Sequence, residues 1–389
     1  MMKKLRAMLV AISLILGSVH LCAQEVTVFE SGQDGYASYR IPAIVKNKNG
    51  DLIAFAEGRV DGAGDFGNIN IVYKISKDNG KTWGQVQIAA QNRELQAGNP
   101  APVVDLHDPR YPNGRIFLFY NTGNNHEWEV RKGEGLREVW YITSTDNGQS
   151  WSEPINITTQ AHRPKQPKVN PHYNFEEDWR AYANTPGHAL QLQEGSYKGR
   201  LYIPANHSKG EPKEAGKDYF AHSYYSDDHG ETFKIGATIP FEGGNETMAA
   251  QIGENKVYMN TRNQQGNVRA RIISYSSDGG ATWDTSYYDQ NLPDPVNQGS
   301  VLSWKKGKQY ILAVSNAADT QHRDNLTLRL SKDGGKTWYF NKVIAKAPEG
   351  YEGAYTAYSD LVQIGKKKVA VYYEKDNYSK IVFMPVKVK

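Results

Sequence analysis

Apolar residues come in short runs along this chain, bounded by Gly, Asn, Asp or Pro, and no stretch keeps the 3.6-residue period of an amphipathic helix. Six tight-turn signals each precede such a run. Asn49-Gly50 stands before DLIAFAE, Asn113-Gly114 before RIFLFYN, and Lys198-Gly199 before RLYIPAN. Gly253 to Asn255 stand before KVYMNTR, Lys306-Gly307 before QYILAVS, and Gly365-Lys366 before KVAVYYE. The runs start at residues 51, 115, 200, 256, 309 and 368, so the unit recurs every 53 to 85 residues. Another apolar run precedes each turn, as in RIPAIVK, APVVDLH and YSDLVQI.

A second repeat interleaves with the first. Five segments share the spacing S-x-D-x-G-x-[T/S]-[W/F], running from Ser76 to Trp83, Ser144 to Trp151, Ser226 to Phe233, Ser276 to Trp283 and Ser331 to Trp338. This is turn chemistry: the Asp accepts from backbone N–H groups a few residues on, the Gly takes a positive φ, and the aromatic anchors the turn on the sheet. Such turns are too poor in acids to serve as calcium loops and read as scaffold. Each unit is therefore strand, tight turn, strand, longer loop, strand, Asp-rich turn, strand. An antiparallel four-stranded sheet repeated around an axis is a β-propeller. The expected fold is all-β, a six-bladed propeller over residues 24–389 with about 61 residues per blade. The sixth unit has no Asp-rich turn, and the N-terminal strand near VTVFE is expected to complete its blade and close the ring.

Composition changes this picture little. With 389 residues, 39% hydrophobic and 23% charged, the chain is of the globular class. Residues 1–23 read as a secretory signal: Lys3, Lys4 and Arg6 form a basic start and Ala7 to Gly17 an apolar stretch too short to span a bilayer. Beyond it, 43 basic residues face 42 acidic ones, so no basic face for nucleic acid is implied. Cys22 is the only cysteine. Removal of the leader would leave a disulfide-free exported protein, periplasmic or extracellular, and lipidation at Cys22 is the alternative. A monomer is expected. The ten histidines form no H-E-x-x-H pattern, and Gly210 with Gly216-Lys217 has the wrong spacing for a P-loop. No metal and no organic cofactor are implied.

In a propeller the start of strand one and the end of strand two lie on one face, and the Asp-rich turns on the other. At the start of strand one stand Arg40, Glu246 and Tyr358. At the end of strand two stand Glu57, Arg262 and Glu374. Arg59, Asp65 and Arg323 are expected just past it, in the loop to strand three. Taken singly each is an ordinary surface charge. Arginines, acids and a tyrosine at matching places in different blades point instead to one shared cavity.

At these residues the chain resembles the bacterial exo-sialidases (neuraminidases) of glycoside hydrolase family 33. The marks are Tyr39-Arg40-Ile41-Pro42, the five Asp-rich boxes, Asn245-Glu246 and Ala357-Tyr358-Ser359-Asp360-Leu361. The resemblance implies that Arg40, Arg262 and Arg323 hold the sialic acid carboxylate. It implies Asp65 as acid/base, with Asp61 the nearby rival, Tyr358 as nucleophile and Glu246 as its base. Glu374 would hold Arg40, and Arg59 would line the pocket beside Asp65. The activity implied is retaining exo-α-sialidase hydrolysis of sialylated glycans, glycoproteins or glycolipids through a tyrosyl intermediate. Transfer to another or the same sugar, binding without turnover, and a protein-interaction propeller are the alternatives. A forked cation suits an ionised carboxylate. A neutral phenol escapes the repulsion that a carboxylate nucleophile would meet there, and sialidases are the tyrosine exception among retaining glycosidases. The phenol needs a base, and nearby arginines would favour its ionised form. Finally, the long connection between Glu153 and Leu192 is expected to rim the cavity and to contact the glycerol or N-acetyl end of the sugar.

Overall fold

The computed structural model describes residues 24–388. The signal segment and Cys22 lie outside the described residues. Six antiparallel blades of four strands surround an axis. Blade 1 is Ser38–Lys46, Leu52–Arg59, Ile69–Ser76 and Gln87–Ala90, and blade 2 is Gln96–Asp105, Arg115–Gly123, Arg137–Ser144 and Ile155–Asn156. These two are joined by one parallel bridge, Ile69 to Gln96. In blade 3 the inner strand is broken into Trp179–Asn184 and Leu190–Gln191, followed by Leu201–Lys209, Tyr219–Ser226 and Lys234–Ile235. Blade 4 spans Gly244–Gln251 to Thr285–Pro293, and blade 5 Gly299–Lys306 to Phe340–Ala345. Blade 6 has Thr356–Gly365, Lys368–Lys375 and Lys380–Lys387 from the C-terminal end. Its fourth strand is Val26–Glu30, paired antiparallel with Lys380–Lys387. The ring closes as the missing sixth turn implied.

The apolar alternation produces one core layer between each pair of neighbouring blades. Phe117, Phe119 and Tyr141 of blade 2, for example, pack on Leu201, Ile203 and Tyr224 of blade 3. Blade 6 meets blade 1 through Phe29, Tyr372 and Phe383 against Tyr39, Leu52 and Val72. The Asp-rich turns bolt these layers. In the first, Asp78 accepts from Ser76 Oγ at 2.8 Å, Thr82 N at 2.9 Å and Thr82 Oγ1 at 2.7 Å, while Ser76 Oγ accepts from Gly80 N at 2.8 Å. Gly80 has φ +83°, and a Cβ there would sit 2.2 Å from the Phe383 ring of blade 6. Glycine is thus required twice, for the left-handed backbone and for the close approach.

The 153–192 connection reaches the cavity over only part of its length. It carries a short helix, Thr158–Ala161, and a 3-10 turn, Pro171–Tyr173, and only Ala181 to Ala183 of its length reach the cavity wall. The reason is apolar: Ile157 and Ala161 join the core layer between blades 2 and 3 and draw the segment outward.

Beneath it lies a buried histidine cluster. His162, His207 and His222 are buried, His207 and His222 touch through their Nδ1 atoms at 3.0 Å, and Trp179 stacks on His207 at 3.6 Å. Burial, reinforced for His162 and His207 by the charge of His222, holds the first two well below the usual range; burial, and then the charge of Arg163, push His222 down to about 3. The unfolded chain takes up protons below about pH 6.5 that the folded chain refuses. Stability is therefore complete above that pH and is lost as pH falls, by about 1.4 kcal/mol per histidine at one unit below. Chemical denaturation at pH 7.5 and pH 5.5 should show a drop approaching about 4 kcal/mol, cut to about 1.4 kcal/mol in a His162→Leu, His222→Leu variant that keeps His207; a flat profile would refute the account.

Candidate active site

Bulges in the inner strands aim side chains at the axis. In blade 1 the register slips between Arg40 and Ala43, and Ile41 takes φ +62°. A β-branched residue in the left-handed region is strained. Glu374 holds it there: its Oε1 accepts from Ile41 N at 2.8 Å and Arg40 Nε at 2.7 Å. Its Oε2 accepts from Arg40 Nη2 at 3.3 Å and Tyr358 N at 3.2 Å. One fully buried carboxylate thus sets a guanidinium, a bulge and the backbone of Tyr358.

A cavity of roughly 750 Å³ opens over these strands. Arg40, Arg59, Asp65, Glu246, Arg262, Arg323 and Tyr358 all line it, although their blades lie far apart in sequence. Asp61 is not among its lining residues. The Tyr358 hydroxyl donates to Glu246 Oε1 at 2.5 Å and accepts from Arg262 Nη1 at 2.9 Å. The same Arg262 nitrogen pairs with Glu246 Oε2 at 2.7 Å. The guanidinium carbons of Arg40 and Arg323 lie 5.4 and 5.6 Å from the Tyr358 ring. Glu374 pairs with Arg40, and Arg59 Nη1 donates to Asp65 Oδ1 at 2.8 Å.

Arg59 corrects its expected place: it closes strand two, opposite Ser38, and is not in the following loop. Glu57, two residues before it, accepts from Arg59 Nη2 at 2.7 Å and from Asn99 N in the bulge of blade 2 at 2.8 Å. It serves blade 2 as Glu374 serves blade 1. Tyr378 was missed. It stacks on Arg40 at 4.0 Å, and its hydroxyl accepts from Arg323 Nη1 at 3.0 Å. It sits in a hairpin turn where Asp376, Asn377 and Tyr378 all have positive φ. Its one sequence signal was a polar turn four residues beyond Glu374.

The electrostatics differ in one respect from the simple expectation. Burial and then the charge of Glu246 push the Tyr358 phenol well above its ordinary value, and Arg262, Arg323 and Arg40 do not overcome them. The phenol therefore stays protonated. At Asp65, whose side chain is 73% exposed to the open cavity, desolvation by the surrounding walls raises the carboxyl, but Arg59 beside it, then Arg40 and Arg323, bring it below the usual range.

The cavity walls come from two other loops. The short helix Glu127–Arg131 presents Trp128, and the segment from Pro212 to Gly216 faces it. Arg131 pairs with Asp218 at 2.6 Å, and Tyr219 bonds Glu127, tying the two loops together. Elsewhere Asp105, Asp108 and His229 cluster, yet Arg110 and Arg115 already neutralise Asp108 at 2.9 and 3.1 Å, so the group is an ionic latch.

Residues 50–371 match the family model described as BNR repeat-like domain. The chain belongs to the BNR repeat-like sialidase family. A sialidase from Micromonospora viridifaciens is 29% identical over 82% of this chain and 48% of its own length. The chain thus spans about half of that relative. An exo-alpha-sialidase from Arthroderma benhamiae is 27% identical over 88% of this chain and 79% of its own. Relatives are bacterial and fungal alike, so membership of the family does not establish a bacterial source. In structure the chain is similar to Hadza microbial sialidase Hz136, with TM-score 0.76, 24% identity, and 93% and 68% of the two chains covered, a likeness of fold.

Proposed function

We propose that the chain is a retaining exo-α-sialidase acting on sialylated glycoconjugates through a covalent bond to Tyr358. The observation that carries this reading is the Tyr358–Glu246 hydrogen bond of 2.5 Å inside a ring of three guanidinium groups. Binding an anionic sugar needs the arginines alone. The phenol, its base and Asp65 are surplus to binding.

In this reading the sugar carboxylate lies on Arg40, Arg262 and Arg323, which puts its anomeric carbon over Tyr358. Because the phenol is held protonated, it attacks as a neutral group and passes its proton to Glu246 as the bond to carbon forms. Asp65 must be protonated to release the departing oxygen. The bound carboxylate cancels the fields of Arg40 and Arg323, two of the charges holding Asp65 down, so its proton affinity rises when substrate arrives. Asp65 then activates water, and the sugar leaves with its configuration retained. Export, inferred from residues 1–23, would bring the protein to external glycans.

The test is proton NMR of the first-formed product: the α-anomer is expected, and initial β-anomer would sink the reading. Asp65→Ala should lower kcat/KM about 10²- to 10⁴-fold on a sialyl-lactose, and far less on an aryl sialoside whose leaving group needs little protonation. Equal losses on both substrates would remove Asp65 from the acid's role.

A further inference from the structure

The three arginines Arg40, Arg262 and Arg323 are anchored in different ways. Arg40 pairs with Glu374 and Arg262 with Glu246. Arg323 pairs with no carboxylate among the described residues, and its one side-chain hydrogen bond there runs from Nη1 to the Tyr378 hydroxyl at 3.0 Å. Its backbone is fixed separately: the Arg323 carbonyl accepts from Thr356 N at 3.0 Å, where the inner strand of blade 6 begins. The far end of a long, rotamer-rich side chain thus depends on one phenolic oxygen. Tyr378 serves a second arginine as well, because the Arg40 guanidinium lies over its ring at 4.0 Å. A phenol has two electron-rich surfaces, the lone pairs of its oxygen and the face of its ring. One uncharged side chain therefore steadies two like charges, one from blade 1 and one from the loop between Gln309–Ala317 and Leu326–Ser331 of blade 5.

The turn that carries Tyr378 is held from three sides. Asp376, Asn377 and Tyr378 have φ of 57°, 53° and 66°. Non-glycine residues keep such a left-handed run only where their surroundings impose it, and these conformations gather at functional sites. Asp376 N and Asn377 N donate to Tyr355 O at 2.9 Å and Ala354 O at 2.8 Å. The Asp376 carboxylate accepts from the Tyr351 hydroxyl at 3.0 Å, and the Tyr378 carbonyl accepts from Ser31 Oγ at 2.9 Å. The ring itself packs on the cluster of Ile41, Ala357 and Tyr358.

We propose that Tyr378 is a positioning residue that aims Arg323 at the substrate carboxylate while leaving its charge unspent. This rests on the sialidase reading and adds a residue to its binding machinery. A phenol suits the task better than an acid. Glu374 and Glu246 already offset Arg40 and Arg262, so the triad with its two acids keeps one positive charge for one carboxylate. An acid at position 378 would orient Arg323 equally well and cancel that charge.

The test is a double-mutant cycle read by calorimetric binding of the 2,3-unsaturated sialic acid. Its four proteins are the parent, Tyr378→Phe, Arg323→Met and the double variant. Loss of the hydroxyl should weaken binding roughly 5- to 30-fold in the parent background and less than about twofold in the Arg323→Met background. A residue that touched the ligand itself, or that only supported the fold, would cost the same in both. Phenylalanine keeps the ring on Arg40, and methionine at position 323 strands no acid, so each single variant should melt within about 2 °C of the parent. Equal losses in the two backgrounds, no loss in either, or a Tyr378→Phe protein that melts well below the parent would each overturn the proposal while leaving the sialidase reading intact. A folded parent that neither binds the unsaturated acid nor cleaves an aryl sialoside would overturn the sialidase reading itself.

Discussion

Tyr358→Phe should leave the protein folded while lowering turnover of a sialoside on the order of 10³-fold or more. The ring packs against Ile41 and Ala357, and phenylalanine keeps those contacts. Glu246 and Arg262 remain paired with each other when the hydroxyl goes, so no buried charge is stranded. Only the attacking oxygen is lost. A fluorinated sialosyl fluoride that forms the intermediate quickly and releases it slowly should add its mass to Tyr358 in the parent and to nothing in the variant. A variant that keeps full turnover would displace Tyr358 from the nucleophile's role, whatever the fold.

Glu374→Gln is the change expected to damage structure and function together. Each carboxylate oxygen of Glu374 accepts two donors, one from the Arg40 guanidinium and one from a backbone N–H of Ile41 or Tyr358. Whichever way the amide turns, its NH₂ faces two donors, and Arg40 loses its counter-charge at a buried site. Breaking such a pair costs about 3–5 kcal/mol. The released bulge also lets Arg40 and Tyr358 drift, and a shift of about 1 Å near the reacting atoms is worth on the order of 10²-fold in rate. Chemical denaturation and kcat/KM on the same preparation give both readings. A variant within about 1 kcal/mol of the parent and fully active would show that the bulge and Arg40 are held by something else.

The two changes mark how far sequence reasoning reached. Arg40 and Glu374 stand 334 residues apart, and nothing local says that they touch. They were paired by resemblance, and the contact itself exists because Val26–Glu30 closes blade 6 beside blade 1. Glu57 appeared as one charge at the right face, but its grip on the Asn99 bulge is a contact between blades. Tyr378 was invisible for the same reason. It is a turn residue, and nothing in its own segment says that it meets two arginines. The length of the 153–192 connection could not say which part of it meets the cavity: Ile157 and Ala161 are drawn into the core layer, and Ala181 to Ala183 reach the wall.

What the amino-acid order determined by itself is the blade: strand, turn and Asp-rich box are written in contiguous residues, because turns are made by neighbours through φ preferences and short hydrogen bonds. Five boxes and six turns sufficed for the count and for the face on which a site must lie. Only the closed ring decided which charges pair, which stay unpaired, and that burial with Glu246 outweighs three arginines at Tyr358. Those are sums over groups from several blades, and electrostatic energy in a desolvated cavity depends on distances that no single segment of chain contains.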